Sequence, residues 1–354
     1  MSQGRLQQVV KDYRQALKQR EAEASQALEQ AYAQVLAQIQ PHLDKLYLLI
    51  AERKANGEEA TPALLYEQRR LETLKLFITH AISHFGALSH MTVSQLQHEA
   101  VTLGQEAAQA LMQATVPKGV SFSFGVPDPS AIASILGATQ AGSPLADLFN
   151  GFGQEAAKLT SEALIRGLTL GNNPRQIARD VQQALGVSRN RALVISRDQS
   201  NRAYRSASLE NYRANEASLS GYRRQADLSA RTCAACLALD GKEYRLDEDP
   251  ELHTCDRCVM VPITKSWEDI LSGLGIDTSD IPETSVSVSE RETGQDWLAN
   301  QDEATQRQVL GNAGYELYAS GDANLQDFAQ TSHDPDWGPQ LAVRPVKELA
   351  KGKS

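Results

Sequence analysis

Apolar positions near the start of the chain fall at Leu6, Val9, Val10, Tyr13 and Leu17, then at Leu28, Ala31, Tyr32, Val35, Leu36 and Ile39. Steps of three and four residues are the period of amphipathic helices. Pro41 interrupts the pattern and Asn56-Gly57 closes the next segment, since proline removes a helical donor and Asn-Gly favours a turn. Thr61-Pro62 then reads as an N-cap with proline at the first helical position, opening a helix through Leu64, Leu65, Leu71, Leu74 and Ile78. The whole predicts a helical hairpin.

Between Pro117 and Pro129, PKGVSFSFGVPDP sets three Pro and two Gly around alternating Val and Phe, the pattern of a connector or a short edge hairpin. Helical spacing returns from Ala131 through Leu170, and Gly171-Asn172-Asn173-Pro174 stops it. Gln176–Leu185 and Arg191–Asn215 read as two further helices. Beyond Met260 a Ser-, Thr-, Gly- and acid-rich stretch reads as loop to about Thr293. A helical pair, Trp297–Leu310 and Tyr315–Ala319 joined by Gly311, follows.

Composition agrees with this pattern. The 354 residues are 41% apolar and 22% charged, enough for a buried core and about two to three domains. Only 6% are aromatic and the first 115 positions are rich in Ala and Gln, which favours helix over a sandwich or barrel. The densest apolar run, Leu46–Ala51, is six residues long against the ~18 that a membrane helix needs. The N-terminal residues carry no apolar core of a secretory signal, so the chain is expected in the cytoplasm where it is made.

The formal net charge of −9 opposes a surface that clings everywhere to nucleic acid. Yet Gly171–Arg231 holds eleven Arg against five acids, and Leu246–Glu303 holds fifteen acids against Arg257, Lys265 and Arg291. Two surfaces of opposite sign are therefore expected. Arg189, Arg191, Arg197, Arg202, Arg205, Arg213, Arg223 and Arg224 are the candidates for contact with nucleic acid or a partner. A solvated basic face is the plainer reading.

All four cysteines lie within 26 residues, as Cys233-x-x-Cys236, eighteen intervening residues, and Cys255-x-x-Cys258. Two such pairs at this separation read as a structural zinc site, because each pair wraps two thiolates onto one side of a tetrahedral ion. Two disulfides would need an oxidising compartment, and unligated thiols would have no reason to pair so regularly. His253, two residues before Cys255, is an alternative fourth ligand. Four protein ligands would leave no position for a reactive water, so the site predicts architecture rather than chemistry.

Other chemistry is not signalled. A zinc deaminase needs Glu two places after its first ligand and Pro before its C-x-x-C, where this chain has Thr254. His80 and His84 are spaced as zincin ligands, but Ala81 stands where the Glu should be. They read as ordinary helix-face histidines. No phosphate loop, dinucleotide fingerprint or nucleophile elbow occurs. Trp267, Trp297 and Trp337 sit among apolar and acidic residues and are expected to anchor packing between the cysteine module and the C-terminal helices.

The run Arg231-Thr-Cys-Ala-Ala-Cys-Leu-Ala-Leu-Asp-Gly-Lys242, with Leu252-His253, Arg257-Cys258 and Val261-Pro262, resembles the phage head morphogenesis family, the Mu F-type minor head proteins. Upstream, Gly171–Asn215 is similar to that family's helical lead-in. Downstream, Asp296–Gln301, Gln306–Gly311, Tyr315–Gly321 and Asp336-Trp-Gly338 are similar to its C-terminal part. The resemblance covers roughly residues 165–350. One departure is that the family's H-x-x-C-x-C appears here as His253-x-Cys255-x-x-Cys258, leaving open whether His253 or Cys255 completes the site.

The resemblance implies a non-enzymatic minor capsid protein of a phage or prophage. Its partners would be the portal and other head proteins, with phage DNA met during packaging or ejection, and neither membrane nor small-molecule substrate. Its location would be the capsid interior or portal vertex of the virion, and the host cytoplasm during assembly. The expected fold class is mainly α with a small α+β zinc-stapled module. Residues 1–116 would form a helical arm, 117–165 a connector with helices, 166–265 the core with the Arg-rich helix and zinc module, 266–294 an acidic linker, and 295–354 a helical C-terminal region. A zinc-module DNA-binding regulator and a prophage effector enzyme are the competing readings.

Overall fold

A computed structural model of the protein describes residues 2–139, 143–275, 291–334 and 338–349. The chain forms two units, one made of Met1–Lys18, His98–Leu136 and Asn201–Ser354, the other of Gln19–Gln97 and Gly137–Ser200. Each is described in turn.

Long helices build the second unit. Helix α1 (Ser2–Ala55) runs through Pro41, where the sequence pattern suggested a break. An interior proline costs about 3 kcal/mol. Its neighbours Ile39, Leu43, Leu46 and Ile50 are all buried, and at ~1.5 to 3 kcal/mol for each such side chain that packing outweighs the lost bond. The helix ends as read, with Gly57 at φ 75° donating to Lys54 O.

Thr61-Pro62 opens only a short turn, α2 (Ala63–Tyr66). Left-handed Gln68 and Arg69 then separate it from α3 (Arg70–Thr115), so the single helix expected through Ile78 is two. Arg70 holds the break by donating to Leu64 O at 3.1 Å and pairing with Glu67.

The continuous helix expected from Ala131 to Leu170 is also divided. Helix α4 (Pro129–Ile135), capped by Asp128, is followed by a 3-10 turn at Leu145–Phe149 and by α5 (Phe152–Thr169). Gly137 and Gly151, both at positive φ, make the breaks. Tyr32, Phe85, Phe149 and Phe152 form an aromatic chain with centroids 5.5 to 6.5 Å apart. Conversely, the two helices read over Gln176–Asn215 are one, α6 (Pro174–Arg213). Gly186 costs about 1 kcal/mol relative to Ala in a helix, too little to break a ladder whose Val181, Leu185, Ala192 and Ile195 are fully buried.

The first unit carries the sheet. Strand β1 (Leu219–Gln225) is central, followed by the short helix α7 (Ala234–Ala238), and pairs antiparallel with β2 (Glu243–Tyr244) and β3 (Val259–Thr264). Tyr222 stands opposite both Tyr244 and Pro262, its ring stacked on Tyr244 at 5.3 Å. Val259 and Val261 seal one side of the sheet against Leu6, Val10 and Leu17 of α1, Ala100 to Ala114 of α3, and Ala203, Tyr204 and Ala207 of α6. The loop expected beyond Met260 is therefore strand at its start.

Helix α8 (Trp267–Gly273) follows. Its buried Trp267 meets Phe122 and Phe124 edge-on, so it anchors the Pro117–Pro129 connector rather than the C-terminal helices. Much of the acidic linker, residues 276–290, lies outside the described residues, as does Trp337.

The C-terminal helices come as α9 (Gly294–Ala299), α10 (Glu303–Leu310) and α11 (Asn312–Ala319), with Gly311 at φ 72° between the last two as read. Half-buried Trp297 joins Leu298, Leu310 and Phe328 in a core that includes Ala234 and Leu237 of α7. A hairpin of β4 (Ala329–Asp334) and β5 (Gly338–Val343), absent from the sequence reading, and a last turn α12 (Val346–Leu349) complete the unit. No helix of the described residues is long and apolar enough to cross a membrane.

Candidate metal centre

Two turns bring the chemistry together. Cys233 is the N-cap of α7, with extended backbone and its Sγ accepting from Cys236 N at 3.4 Å. The following helical turn sets Cys236 on the same side as Cys233, as a C-x-x-C knuckle requires. On the opposite side, residues 253–258 enter β3 through a tight loop in which Asp256 N donates to His253 O at 3.0 Å. Cys255 adopts φ 61°, a left-handed conformation that costs a non-glycine residue roughly 1 to 2 kcal/mol. This reversal lets His253 and Cys258, at the two ends of the loop, both face Cys236.

His253 Nε2 lies 3.0 Å from Cys236 Sγ and 3.5 Å from Cys233 Sγ. Ligands of a tetrahedral zinc with bonds of ~2.3 Å to sulfur and ~2.0 Å to nitrogen are separated by about 3.6 Å, so this spacing suits one ion. The other ring nitrogen, Nδ1, is 2.8 Å from Thr254 O, which accounts for its proton and leaves Nε2 to face the sulfurs. Two donor sets, each with its ligand atoms within 4.8 Å of one another, share Cys236: one is Cys233, Cys236 and His253, the other Cys236, Asp256 and Cys258. Cys255 belongs to neither, although it lines the same cavity of about 160 Å3.

Asp256 is the unexpected member. Its carboxylate is fully buried, 2.5 Å from Arg224 Nη2 and 3.8 Å from Arg205 Nη1, and it accepts from Cys258 N at 2.7 Å. Burial alone would raise its pKa, but Arg224, Arg205 and His253 hold it well below the usual carboxylate range. Arg205 also donates to Asp256 O at 2.6 Å, and Arg224 to Cys236 Sγ at 3.3 Å. Burial disfavours the charged His253 ring, yet the bond to Cys236 and the negative charges of Cys236 and Asp256 outweigh it, pushing the pKa up to about 9.

Most of the arginines expected to form a basic face are ion-paired or buried within their own unit. Arg189, Arg191 and Arg197 belong to the second unit, where Arg189 pairs with Glu29 and Arg191 with Glu155 at 3.7 Å. In the first unit Arg202, Arg205 and Arg224 are buried, Arg213 is tied to Glu210 and Asp249, and Arg223 to Glu243. In the first unit α6 buries its last three turns against α3 and β3, and β1 is the central strand.

A different cluster lies on accessible surface of the first unit. Lys11, Arg14, Lys18 and Arg291 line a cavity of about 590 Å3, where Arg14 and Lys18 share Asp227 and Arg291 pairs with Asp240, and Lys18 and Asp227 continue into the smaller cavity beside Arg231 and Arg257. Lys11, Arg14 and Lys18 stand at i, i+3 and i+7 of a helix, a spacing legible in the sequence; their approach to residues 227–231 was not.

The observed class is a mainly helical protein with a small antiparallel sheet and a Cys/His cluster at its edge. Residues 159–260 match the family described as Phage Mu protein F like protein, so this segment, which contains all the candidate donors, is Mu F-like. The match supports the head morphogenesis resemblance read from the residues themselves. No curated protein and no solved structure matches the chain.

Proposed function

We propose that the chain is a minor head protein of a phage or prophage, acting without catalysis in head morphogenesis at the portal vertex. A single structural zinc would be held by Cys233, Cys236, Cys258 and His253. The observation that carries the zinc reading is the convergence of His253 Nε2 on Cys233 and Cys236, with Cys236 shared by the donor set containing Cys258. The bound ion would lock the knuckle before α7 to the loop before β3. Three thiolates and an imidazole fill a tetrahedral zinc, leaving no site for activated water.

The head role and the portal location rest on the family match and resemblance. Co-expression with portal and scaffold should carry the protein into particles and co-sediment it with portal rings. A chain that stays at the top of the gradient in the presence of assembled particles contradicts the assembly role.

Contact with phage DNA is a second reading, favoured by Lys11, Lys18 and Arg231 along two adjoining cavities where the single carboxylate of Asp227 is shared by Arg14 and Lys18. Duplex binding measured by anisotropy should weaken as salt rises, with a log–log slope of about −0.9 for each phosphate neutralised. The Lys11→Glu/Lys18→Glu/Arg231→Glu variant should bind about tenfold or more weakly at ~100 mM salt. A salt-independent signal, or a variant that binds as wild type, removes DNA from this face.

A further inference from the structure

We infer that the connector from Pro117 to Pro129 is a self-pairing edge, through which two copies of the chain join as an antiparallel two-stranded ribbon with Ser123 on the dyad.

The connector reads nearly alike from either end. About Ser123, Phe122 mirrors Phe124, Ser121 mirrors Gly125, Val120 mirrors Val126 and Pro117 mirrors Pro129. Lys118 mirrors Asp128, so the two charged positions are of opposite sign. Antiparallel pairing of identical strands sets each residue opposite its mirror, which puts Val beside Val, Phe beside Phe and Lys118 against Asp128 at both ends. A second copy is the one partner that this symmetry serves, since no other strand need share it.

The backbone is ready for such a partner. Residues 120–128 belong to no helix or strand, and Ser121, Phe122, Ser123 and Phe124 make no main-chain to main-chain hydrogen bond among the described residues. Phe122 and Phe124 lie side by side with ring centroids 5.0 Å apart, both edge-on to Trp267, while Ser121 and Ser123 are exposed. That is the two-residue alternation of a strand with one face packed.

Gly125 fixes which edge is open. Its N–H donates to Asn215 Oδ1 at 2.8 Å, and its carbonyl accepts from Gln109 Nε2 and Asn215 Nδ2. Main-chain groups of successive residues point to opposite edges of an extended chain, so those of Phe122 and Phe124 point away from Asn215. A dyad at Ser123 makes Phe122 and the second copy's Phe124 a hydrogen-bonded pair, using the groups that are open. It also gives Val126, 78% exposed, an apolar neighbour in the second copy's Val120. An unpaired apolar edge is a template for another chain, and the flanking prolines, lacking N–H, confine the ribbon to its centre. A contact this short falls below the ~1,600 Å2 of a standard interface, so the dimer is weak and is sought at high protein concentration.

Sedimentation equilibrium of the full-length protein should show a monomer–dimer equilibrium. Val126→Glu alters a solvent-exposed side chain, sets a charge beside the second copy's Val120 twice per dimer, and should weaken association about tenfold or more. Lys118→Glu brings like charges together at both ends and should also weaken it, with recovery as salt rises. Ser123→Cys reads the register. Its Cα would stand ~4.5 Å from its mate in a non-hydrogen-bonded pair, so mild oxidation and peptide mapping should find the link between the two copies of residue 123. In Ser121→Cys the equivalent positions would be roughly 13 Å apart at ~3.4 Å per residue and should not link.

A wild-type protein that sediments as monomer at its highest soluble concentration overturns the inference. So does association undiminished in Val126→Glu, or Ser121→Cys linking as readily as Ser123→Cys. Should Val126→Glu fail to fold, the comparison of the two cysteine variants decides alone, because both serines are exposed.

Discussion

The Cys236→Ser variant is expected to lose its zinc and, with it, ordered structure between β1 and β3. Cys236 belongs to both donor sets, accepts from Arg224, and lies in a thin core with Ala226, Ala235, Cys258 and Leu341. These are mostly small side chains, and at ~25 cal/mol per Å2 their burial contributes little. Structural zinc supplies apparent binding energies of about 10 to 16 kcal/mol in small modules, comparable with the whole ~5 to 15 kcal/mol net stability of a domain. Removing it should therefore unfold α7 and the 253–258 loop, while the sheet keeps its packing through Val259, Val261 and Met260. Amide exchange should show protection lost over Ala234–Ala238 and the 253–258 loop and retained over the aromatic chain of the second unit at Phe85 and Phe152. Cys233→Ser should behave alike. Wild-type protection and melting in either variant contradict the ion's structural role.

The next largest effect is expected at Gly104, where α3 meets α6 within the first unit. A Cβ built there falls well inside van der Waals contact of the Tyr204 carbonyl and close to Ala207 Cβ. Tyr204 and Ala207 are buried, and Ser208 Oγ donates to Gly104 O at 3.0 Å, so the two backbones are tied at this point. Gly104→Leu must push the helices apart and should destabilise the unit by on the order of 3 kcal/mol or more, at the upper end of overpacking effects. Gly186→Ala is the contrast. It lies mid-helix with open space around its Cβ position, and the change should stabilise by about 0.5 to 1 kcal/mol. Thermal melts of the two variants read both signs; Gly104→Leu melting as wild type would deny the close approach.

What the sequence revealed depended on how local each signal was. The heptad-like spacing of Leu6 to Leu17 and Leu28 to Ile39 found α1, and Gly57 and Gly311 marked true ends, because positive φ is a property of the residue itself. Pro41 misled, and so did the gap read between Leu185 and Arg191, since the burial of Ile39, Leu43, Leu185 and Ile195 that carries each helix through is displayed by no short window. The break at Gln68-Arg69 carries no glycine or proline and depends on Arg70 reaching Leu64 O. The hairpin of β4 and β5 was hidden because its pairing, not its composition, makes it strand.

The candidate metal site shows the same division. Two C-x-x-C pairs announced four sulfurs, and His253 was visible beside them. The choice among five donors was not, because it turns on Cys255 adopting φ 61° and on the approach of His253 to Cys233 and Cys236 across the fold. Counting arginines along Gly171–Arg231 suggested a basic surface, yet three of them are interior counter-ions or buried stems. Charge read from sequence has no address until the fold assigns burial.

The central claim is that three of the four cysteines and His253 grip one zinc ion that organises a building block of a phage head. Its most direct test is metal content by elemental analysis, with native mass, for wild type, Cys258→Ser and Cys255→Ser. The account predicts one zinc per chain in wild type and in Cys255→Ser, and none in Cys258→Ser. Folded wild-type protein without zinc, or zinc lost from Cys255→Ser and kept by Cys258→Ser, contradicts it.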